Sequence, residues 1–375
     1  APVRLVFNGA EITVKPKEIA GLLELPANGR TKLAIDRADA RRLFENLARG
    51  VQRSPADADF AVRTDGKVRV VRSRAGRELD LAATSRALLT AATGTGPRRA
   101  EVAVVRVRPE LTTAEARALR IERQLASYTT LYSGTADRIV NLQRAIALLD
   151  GALVAPGREF SFNGRVGPRT EERGFRPAPV IVDAEYEVDI GGGVSQVATT
   201  LFNAAWDAGL KITSRTAHAL YIDRYPLGRD ATVNYPDIDL RFRNDTRRWL
   251  VLDATYDESG ISIGLLGAGR ERRVVSQAGE LEETGPPRIE RKPDPTLYEG
   301  ERVVEDYGEP SRAVRVARIV YVGDDELYRE SWYTSYRGEP RIVRVGTKPR
   351  PEEPAPPKQE PKPKAGDEPT PGGQP

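Results

Sequence analysis

The chain contains no cysteine, and its 375 residues include a single histidine, His218. The absence of cysteine excludes disulfides, iron–sulfur clusters, thiolate zinc sites and thiol nucleophiles. One imidazole also excludes metal sites built from several histidines, so any metal chemistry is left to carboxylates. Packed hydrophobic cores must therefore hold the fold together, and the length allows about two to four domains.

The charge pattern restricts the class of partner. Lys and Arg number 58 against 54 Asp and Glu, a net charge of +4, and the two signs are interspersed. A nucleic-acid-binding protein normally shows clustered basic residues, so we expect no nucleic-acid partner. The chain has no apolar run long enough to cross a membrane. Because it begins at Ala1 and contains no methionine, we expect an export signal or membrane anchor upstream of Ala1.

Residues 1–110 alternate between hairpin and helix signals. The turn dipeptides Asn8-Gly9 and Asp65-Gly66 lie between strand-like segments and predict two β-hairpins. Asp36 and Asp80 are placed to cap helices that run to Arg49 and Ala92. The pattern indicates a small α+β domain.

Residues 111–268 predict a second α+β domain. Thr112 or Thr113 is expected to begin a helix through Leu125, and apolar periodicity predicts helices over Asp137–Leu149 and Ser195–Ala208. Residues 269–300 are polar and rich in proline, as in a linker. Residues 301–348 are strand-like throughout, and 349–375 consist almost entirely of residues that do not pack, which predicts a disordered tail. The fold class is therefore α+β and multidomain, ending in a small all-β module.

The densest chemical signal is Gly191-Gly192-Gly193, directly before the helix that contains Ser195. A glycine loop that opens a helix presents backbone N–H groups suited to a carboxylate or a developing oxyanion. Ser195 is either a nucleophile there or the N-cap of the helix. A Walker phosphate loop is excluded, since no lysine follows the last glycine.

His218 is the only conventional base available to Ser195. The alternative is a structural histidine hydrogen-bonded near Tyr221 or Tyr225. Other candidate groups each have a functional and a structural interpretation. Three arginines are suited to clamping a carboxylate or to lying on the surface: Arg165, Arg169 and Arg173. Four acids on one strand face could hold a cation, supply an acid–base pair or be solvated: Asp183, Glu185, Glu187 and Asp189. Three aromatic residues could stack on a sugar or pack in a core: Trp332, Tyr333 and Tyr336.

Several ordered motifs of the middle region resemble a known family. They are Leu153–Asn163, Val166–Thr170, Gly191–Asn203, His218 and Asp230–Val233. Together they resemble the VanW domain, over roughly 115–268. The N-terminal block resembles the peptidoglycan-binding domain that often precedes VanW domains. The block ending in Arg341–Lys348 resembles a G5 domain, a β module linked with polymers that contain N-acetylglucosamine.

The resemblance implies an exported, wall-associated protein at the cell surface, with peptidoglycan as its partner. Members of the VanW family usually carry cysteine at the position of Ser195, so Ser195 implies either weaker chemistry or a non-catalytic member. Two hypotheses follow. In the first, tandem modules bind wall glycan or stem peptide, and the VanW domain is the central ligand-contacting domain. In the second, the domain performs acyl transfer or hydrolysis on wall peptides. Glycan cleavage by a pair from the acidic strand is a third, weaker alternative.

Both hypotheses place the site at the glycine loop. The predicted catalytic residues are Ser195 and His218, with backbone amides of Gly193–Gln196 as oxyanion donors. The predicted ligand-binding residues are Gly191, Gly192, Gly193, Gln196, Arg169 and Thr199. Neither a metal nor a cofactor is expected.

Overall fold

The computed structural model describes residues 1–25, 33–132, 134–182, 185–269 and 271–350. The predicted tail falls almost entirely on 351–375, outside the described residues. The chain divides into two compact units. One contains Ala1–Glu282 with Arg312–Arg337, and the other contains Glu283–Ser311 with the described residues from Gly338 onward.

The N-terminal region has its own hydrophobic core, in which Leu5, Phe44 and Leu88 are buried. Its helices are α1 (Pro16–Leu22), α2 (Arg37–Leu43), α3 (Glu45–Val51) and α4 (Leu81–Thr93). Its strands are β1 (Val3–Phe7), β2 (Ala10–Val14), β3 (Leu23–Glu24), β4 (Ala34–Ile35), β5 (Asp59–Val62), β6 (Val68–Val71), β7 (Gly76–Leu79), β8 (Arg99–Glu101) and β9 (Val104–Val107).

The local predictions for this region are confirmed with one exception. Strands β1–β2 and β5–β6 are antiparallel hairpins. Asp36 and Asp80 each accept a hydrogen bond of 2.8 Å from a first-turn amide, as N-caps do. The helix predicted from Asp36 to Arg49 is instead two short helices that meet at Phe44. The break accompanies burial of the Phe44 ring, which is 2% exposed.

The middle region supplies the largest core. Its helices are α5 (Thr113–Ala118), α6 (Ala136–Leu149), α7 (Phe162–Val166) and α8 (Val194–Asp207). Its strands are β10 (Arg123–Leu131), β11 (Leu153–Val154), β12 (Glu159–Ser161), β13 (Pro177–Val182), β14 (Glu185–Ile190), β15 (Lys211–Ser214), β16 (Arg241–Arg243), β17 (Leu250–Tyr256) and β18 (Gly260–Gly267).

Helices α6 and α8 pack against a sheet of order β10-β18-β17-β11. Leu142 of α6, Leu201 of α8 and Ile263 of β18 are fully buried in this core. These contacts follow from the 3.6-residue apolar period of the helices and the nearly continuous apolar run of β18. The mixture of helices and sheets confirms the α+β class.

The prediction of a helix from Thr112 through Leu125 is wrong for its second half. Thr112 does cap α5, and its hydroxyl accepts a hydrogen bond from the amide of Glu115. The helix then ends before Arg120, whose φ of 53° is left-handed. The following residues form β10, which pairs antiparallel with β18. Pairing with a strand more than 120 residues away overrides the local helical pattern.

The region after residue 268 is built from strands. They are β19 (Arg272–Ala278), β20 (Glu282–Gly285), β21 (Ile289–Tyr298), β22 (Arg302–Asp306), β23 (Ser311–Val322), β24 (Asp325–Tyr336) and β25 (Arg341–Lys348). Strand β23 pairs antiparallel with both β19 and β24. In the second unit, β25 lies between β21, which is parallel to it, and β22, which is antiparallel.

The prediction of a linker over 269–300 is therefore wrong. Strands β19, β20 and β21 occupy it. Polar, proline-containing sequence was misleading here, because a thin sheet is held by backbone pairing and buries few side chains. The predicted all-β block of 301–348 is also divided, since Arg312–Arg337 belongs to the first unit.

No helix in the described part of the chain combines the length and apolar character that a bilayer span requires.

Candidate functional site

A cleft of about 1230 Å³ opens beside the N-terminus of α8. Its walls come from segments that are far apart in sequence. They include the glycine loop, residues 215–219, residues 222–225, residues 232–235 and the end of β24. Strand β24 contributes because Val314, Val316 and Tyr336 of the β23–β24 hairpin are buried in the same core as α8.

The glycine loop is shaped by close packing. Gly193 has a φ of 96° and precedes α8 as its N-cap. A Cβ on Gly192 would lie 2.3 Å from the carbonyl oxygen of Ala178, so only glycine fits there. Gly191 and Gly193 line the cleft, whereas Gly192 lies outside the lining and packs against β13.

Ser195 lines the cleft but does not cap the helix. The cap position belongs to Gly193, and Ser195 is the second residue of α8. Its hydroxyl lies 3.1 Å from the hydroxyl of Thr232 and accepts a hydrogen bond of 3.2 Å from the amide of Val233. The N-cap interpretation of Ser195 is thus wrong, and its side chain joins α8 to the 232–233 segment instead.

His218 also lines the cleft, and it is held by a buried carboxylate. Its Nδ1 lies 2.8 Å from Oδ2 of Asp230, and its backbone amide donates to the same oxygen at 2.6 Å. When Nδ1–H donates to the carboxylate, the lone pair of the neutral ring is at Nε2, the atom that a general base uses. The ring stacks near Tyr225, with centroids 6.0 Å apart.

Asp230 is 3% exposed and is saturated with donors. Besides His218, it accepts hydrogen bonds from Arg215 at 2.9 Å and from the hydroxyl of Tyr336 at 2.7 Å. Burial by itself would raise the pKa of Asp230. The hydrogen bond from His218 and the charge of Arg215 outweigh burial and lower that pKa to about 2. Asp230 therefore remains an anion that orients the imidazole.

Ser195 and His218 both line the cleft but are not hydrogen-bonded to each other. In the described part of the chain, no hydrogen bond joins the hydroxyl to the imidazole, and the hydroxyl contacts Thr232 and Val233 instead. Two of the amides predicted as oxyanion donors are also engaged. The amide of Val194 donates to the carbonyl of Gly191 at 3.2 Å, and that of Gln196 donates to Gly193 at 2.8 Å.

Two predicted ligand-binding side chains make structural contacts. Gln196 borders the cleft but is 2% exposed. Its side-chain amide accepts a hydrogen bond from Arg138 and donates one to the hydroxyl of Thr130. Thr199 is fully buried, outside the lining, and both donates to and accepts from the backbone of Ala231. The sequence predicts Thr199 as a ligand-binding residue, but its hydroxyl makes both of its hydrogen bonds inside the core.

The three candidate arginines are separated by the fold. Arg169 lines the cleft, where it donates to the side-chain oxygen of Asn163 at 2.7 Å and to the carbonyl of Gly167 at 3.2 Å. Burial lowers the pKa of Arg169 to about 10. Arg165 and Arg173 lie outside the lining and bind backbone carbonyls, those of Leu148 and Val166 among them.

The acidic strand is an exposed hairpin strand where the structure describes its side chains. Glu187 and Asp189 of β14 are exposed, and Asp189 borders the cleft. Asp183 lies outside the described residues. Within the described residues, no three His, Cys, Asp or Glu side chains are grouped as metal ligands. Of the aromatic residues, Trp332 and Tyr333 line the cleft, whereas the Tyr336 ring is buried.

Sequence reasoning missed several residues that shape the site. They are Arg138, Asn163, Arg215, Asp230 and Thr232. Asp230 lies in one of the family-like motifs, 12 residues after the only histidine, and a search for an acid that could orient His218 would have found it. No sequence signal links Arg138 or Arg215 to the cleft.

Family models match the chain in three consecutive blocks. A model described as "Putative peptidoglycan binding domain" matches residues 6–101, "VanW like protein" matches 137–266, and "G5 domain" matches 278–348. A relative from Bacillus subtilis, "Uncharacterized protein YoaR", is 30% identical over 268 residues. That match covers 67% of this chain and 87% of the relative. The chain belongs to the VanW family.

A second relative is the "Vancomycin B-type resistance protein VanW" of Enterococcus faecalis. It is 29% identical over 146 residues, which cover 37% of this chain and 52% of that protein. Two solved structures match the C-terminal part. "IgA1 Protease G5 domain structure" is 30% identical over 22% of this chain and 99% of its own, with a TM-score of 0.15. "Crystal structure of HP0197-G5" is 23% identical over 21% and 96%, with a TM-score of 0.12. The peptidoglycan-binding and G5 matches indicate an association with the cell wall.

Proposed function

We propose that this VanW-family protein acts at the cell surface, where it binds peptidoglycan through its successive domains, and that the cleft beside α8 is the central contact with the ligand. The observation that carries the proposal is the cleft itself. Its volume of about 1230 Å³ is sufficient for several residues of a polymer, and it combines charged groups with an exposed aromatic ring, Tyr333. Wall binding by the flanking domains would raise the effective concentration of ligand at the cleft.

Co-sedimentation with purified peptidoglycan sacculi tests this proposal. We expect the protein to pellet with the sacculi and the soluble fragments, analysed by mass spectrometry, to be unchanged. Tyr333→Ala, which removes a ring that is 61% exposed at the cleft, should weaken binding severalfold. Tyr256→Ala is the matched control, since this 50% exposed ring lies inside the VanW match but outside the lining of the cleft. A protein that stays in the supernatant would contradict the proposal.

The second candidate function is acyl transfer or hydrolysis on wall peptides, and the His218–Asp230 hydrogen bond favours it. The Ser195 oxygen would attack a peptide carbonyl, and Nε2 of His218 would accept the hydroxyl proton and later return it to the leaving amine. Because the Ser195 hydroxyl is not hydrogen-bonded to His218, it must first leave Thr232, or a water molecule must relay the proton.

The same assay separates this candidate from simple binding. New fragments that disappear in Ser195→Ala and in His218→Gln would establish catalysis. Ser195→Cys should then increase the rate, because a thiol ionises more readily than an alcohol and needs less help from the base. Unchanged fragments with Ser195→Cys would leave binding as the function.

A further inference from the structure

We propose that the cleft selects a peptide that carries both a free carboxylate and a free amine, the chemistry of a stem peptide that has not been cross-linked. This inference rests on the proposed function and narrows its ligand. It depends on the guanidinium groups and the carboxylates that line the cleft.

The first observation is the environment of Arg169. Its guanidinium is only partly exposed, and its hydrogen bonds go to neutral oxygens, those of Asn163 and Gly167. Among the described residues, no carboxylate lies within ion-pair distance of this group. The Asp239 carboxylate acts on it only from farther away and is itself paired with Arg241 at 2.8 Å. A partly desolvated cation held only by neutral acceptors is stabilised when an anion binds beside it. A carboxylate in the cleft would provide that anion.

The second observation is that Arg169 is accompanied by further guanidinium groups. Arg138, also partly exposed, passes over Gly193 and donates to the amide oxygen of Gln196 at 2.7 Å. Arg224 and Arg337 line the cleft and are exposed. Guanidinium groups bind carboxylates through paired hydrogen bonds, which gives geometric selectivity as well as attraction.

The third observation concerns the opposite charge. Asp189 and Asp223 also line the cleft, and both are exposed. Their carboxylates would attract an ammonium group, and they would repel a polymer with many negative charges. The mixture of charges thus fits a peptide with both signs better than it fits a phosphate polymer.

The chemistry of cross-linking turns this charge pattern into selectivity. An amide cross-link joins the amine of one stem peptide to a carbonyl carbon of another. The stem that supplied the amine keeps its terminal carboxylate, and the stem that supplied the carbonyl keeps its amine, so only an un-cross-linked stem carries both terminal charges on one peptide. An uncharged glycan offers neither group. The cleft therefore distinguishes un-cross-linked peptides from cross-linked peptides and from glycan.

Titration calorimetry of the full chain with synthetic peptides tests the inference. The reference ligand is a stem tetrapeptide whose diamino acid is lysine. The comparison ligands are the same peptide with its carboxylates amidated and the same peptide with its lysine amine acetylated. We expect each modification to weaken binding by about tenfold or more. Equal affinity for all three peptides would overturn the inference, and this result needs no variant protein.

Two pairs of variants locate the two charges. Arg169→Gln should reduce affinity for the reference peptide and abolish the effect of amidation, whereas Arg165→Gln, outside the lining of the cleft, should do neither. Asp189→Asn should reduce the effect of amine acetylation, and Glu187→Gln on the same strand is its control. Full effects of amidation and acetylation that persist in both cleft variants would contradict this assignment.

Sacculi distinguish failure of the inference from failure of the proposed function. If sacculi bind but the reference peptide does not, the peptide inference is wrong and wall binding stands. If binding disappears when phosphate polymers are chemically stripped from the sacculi, the ligand is a phosphate polymer and both proposals are wrong.

Discussion

At the scale of single residues, Asp230 determines how His218 is held beside the cleft. It lies away from the lining, yet it holds His218, Arg215 and Tyr336 through one buried carboxylate. Buried charges of this kind are tolerated only when several donors compensate for the lost hydration. The buried carboxylate therefore fixes the orientation of the His218 imidazole.

Asp230→Asn should lower the free energy of unfolding by about 3 kcal/mol, because it leaves the buried Arg215 without its counter-ion. Denaturant titration measures this loss. Asp237→Asn, at an exposed position, is the control and should change stability by less than about 0.5 kcal/mol. Equal stability of the two variants would show that the network contributes little.

The pH dependence has a definite sign. The pKa of Asp230 falls from 3.8 to about 2 on folding, so its contribution to stability is complete above about pH 4 and is lost as the pH falls towards 2. Over that range the wild-type protein should lose more stability than Asp230→Asn. Parallel denaturation curves for the two proteins across this range would contradict the assignment.

At the scale of elements, α8 and its glycine loop place the cleft. The helix is buried along most of its length, so its N-terminus cannot move without disturbing the core. Its entry geometry depends on Gly192, whose backbone contacts that of Ala178 on β13 too closely to admit a side chain. Close packing against β13 thus sets the shape of the loop, and that shape determines where Ser195 lies.

Gly192→Ala should destabilise the protein by about 1–3 kcal/mol or more, since the added methyl would overlap a backbone carbonyl that cannot swing away. Thermal unfolding followed by circular dichroism measures the effect. Gly50→Ala is a useful contrast. This glycine is inside α3 with no atom near its added methyl group, and alanine there should stabilise by up to about 1 kcal/mol. A lower melting temperature for Gly50→Ala than for Gly192→Ala would contradict the packing argument.

At the scale of the whole molecule, the β23–β24 hairpin is part of the same compact unit as the VanW domain. Arg318 of β23 is fully buried. It donates to the carbonyls of Trp206 and Leu210 at the end of α8 and forms an ion pair of 2.8 Å with Glu330. The match to the G5 model therefore includes strands that complete the VanW core and one wall of the cleft.

Arg318→Ala should cost about 3–5 kcal/mol, because it leaves two buried carbonyls and a carboxylate without their donor. Chemical denaturation of the full chain tests this. Arg329→Ala, which removes an exposed pair with Glu326 on β24, should stay within about 0.5 kcal/mol of wild type. Comparable losses from both variants would argue against a structural role for the buried arginine.

The sequence correctly predicted those elements that depend on a few neighbouring residues. The hairpin at Asn8-Gly9, the caps Asp36 and Asp80 and the helix α8 depend on the backbone preferences of a few neighbouring residues, and each is found as predicted. The VanW assignment rested on motifs of the same kind, which identify a family without revealing what their side chains touch.

The sequence by itself determined the α+β class, the order of the three family matches, and the presence of Ser195 and His218 as the reactive candidates. The tertiary structure alone decided that β10 is a strand, that 269–300 is paired, and that Ser195 bonds Thr232 while His218 bonds Asp230. The reason is physical. Turns and caps are fixed by hydrogen bonds within a few residues, whereas strand partners and buried charge networks join segments from 12 to more than 100 residues apart. Those long-range contacts depend on which surfaces the whole fold brings together.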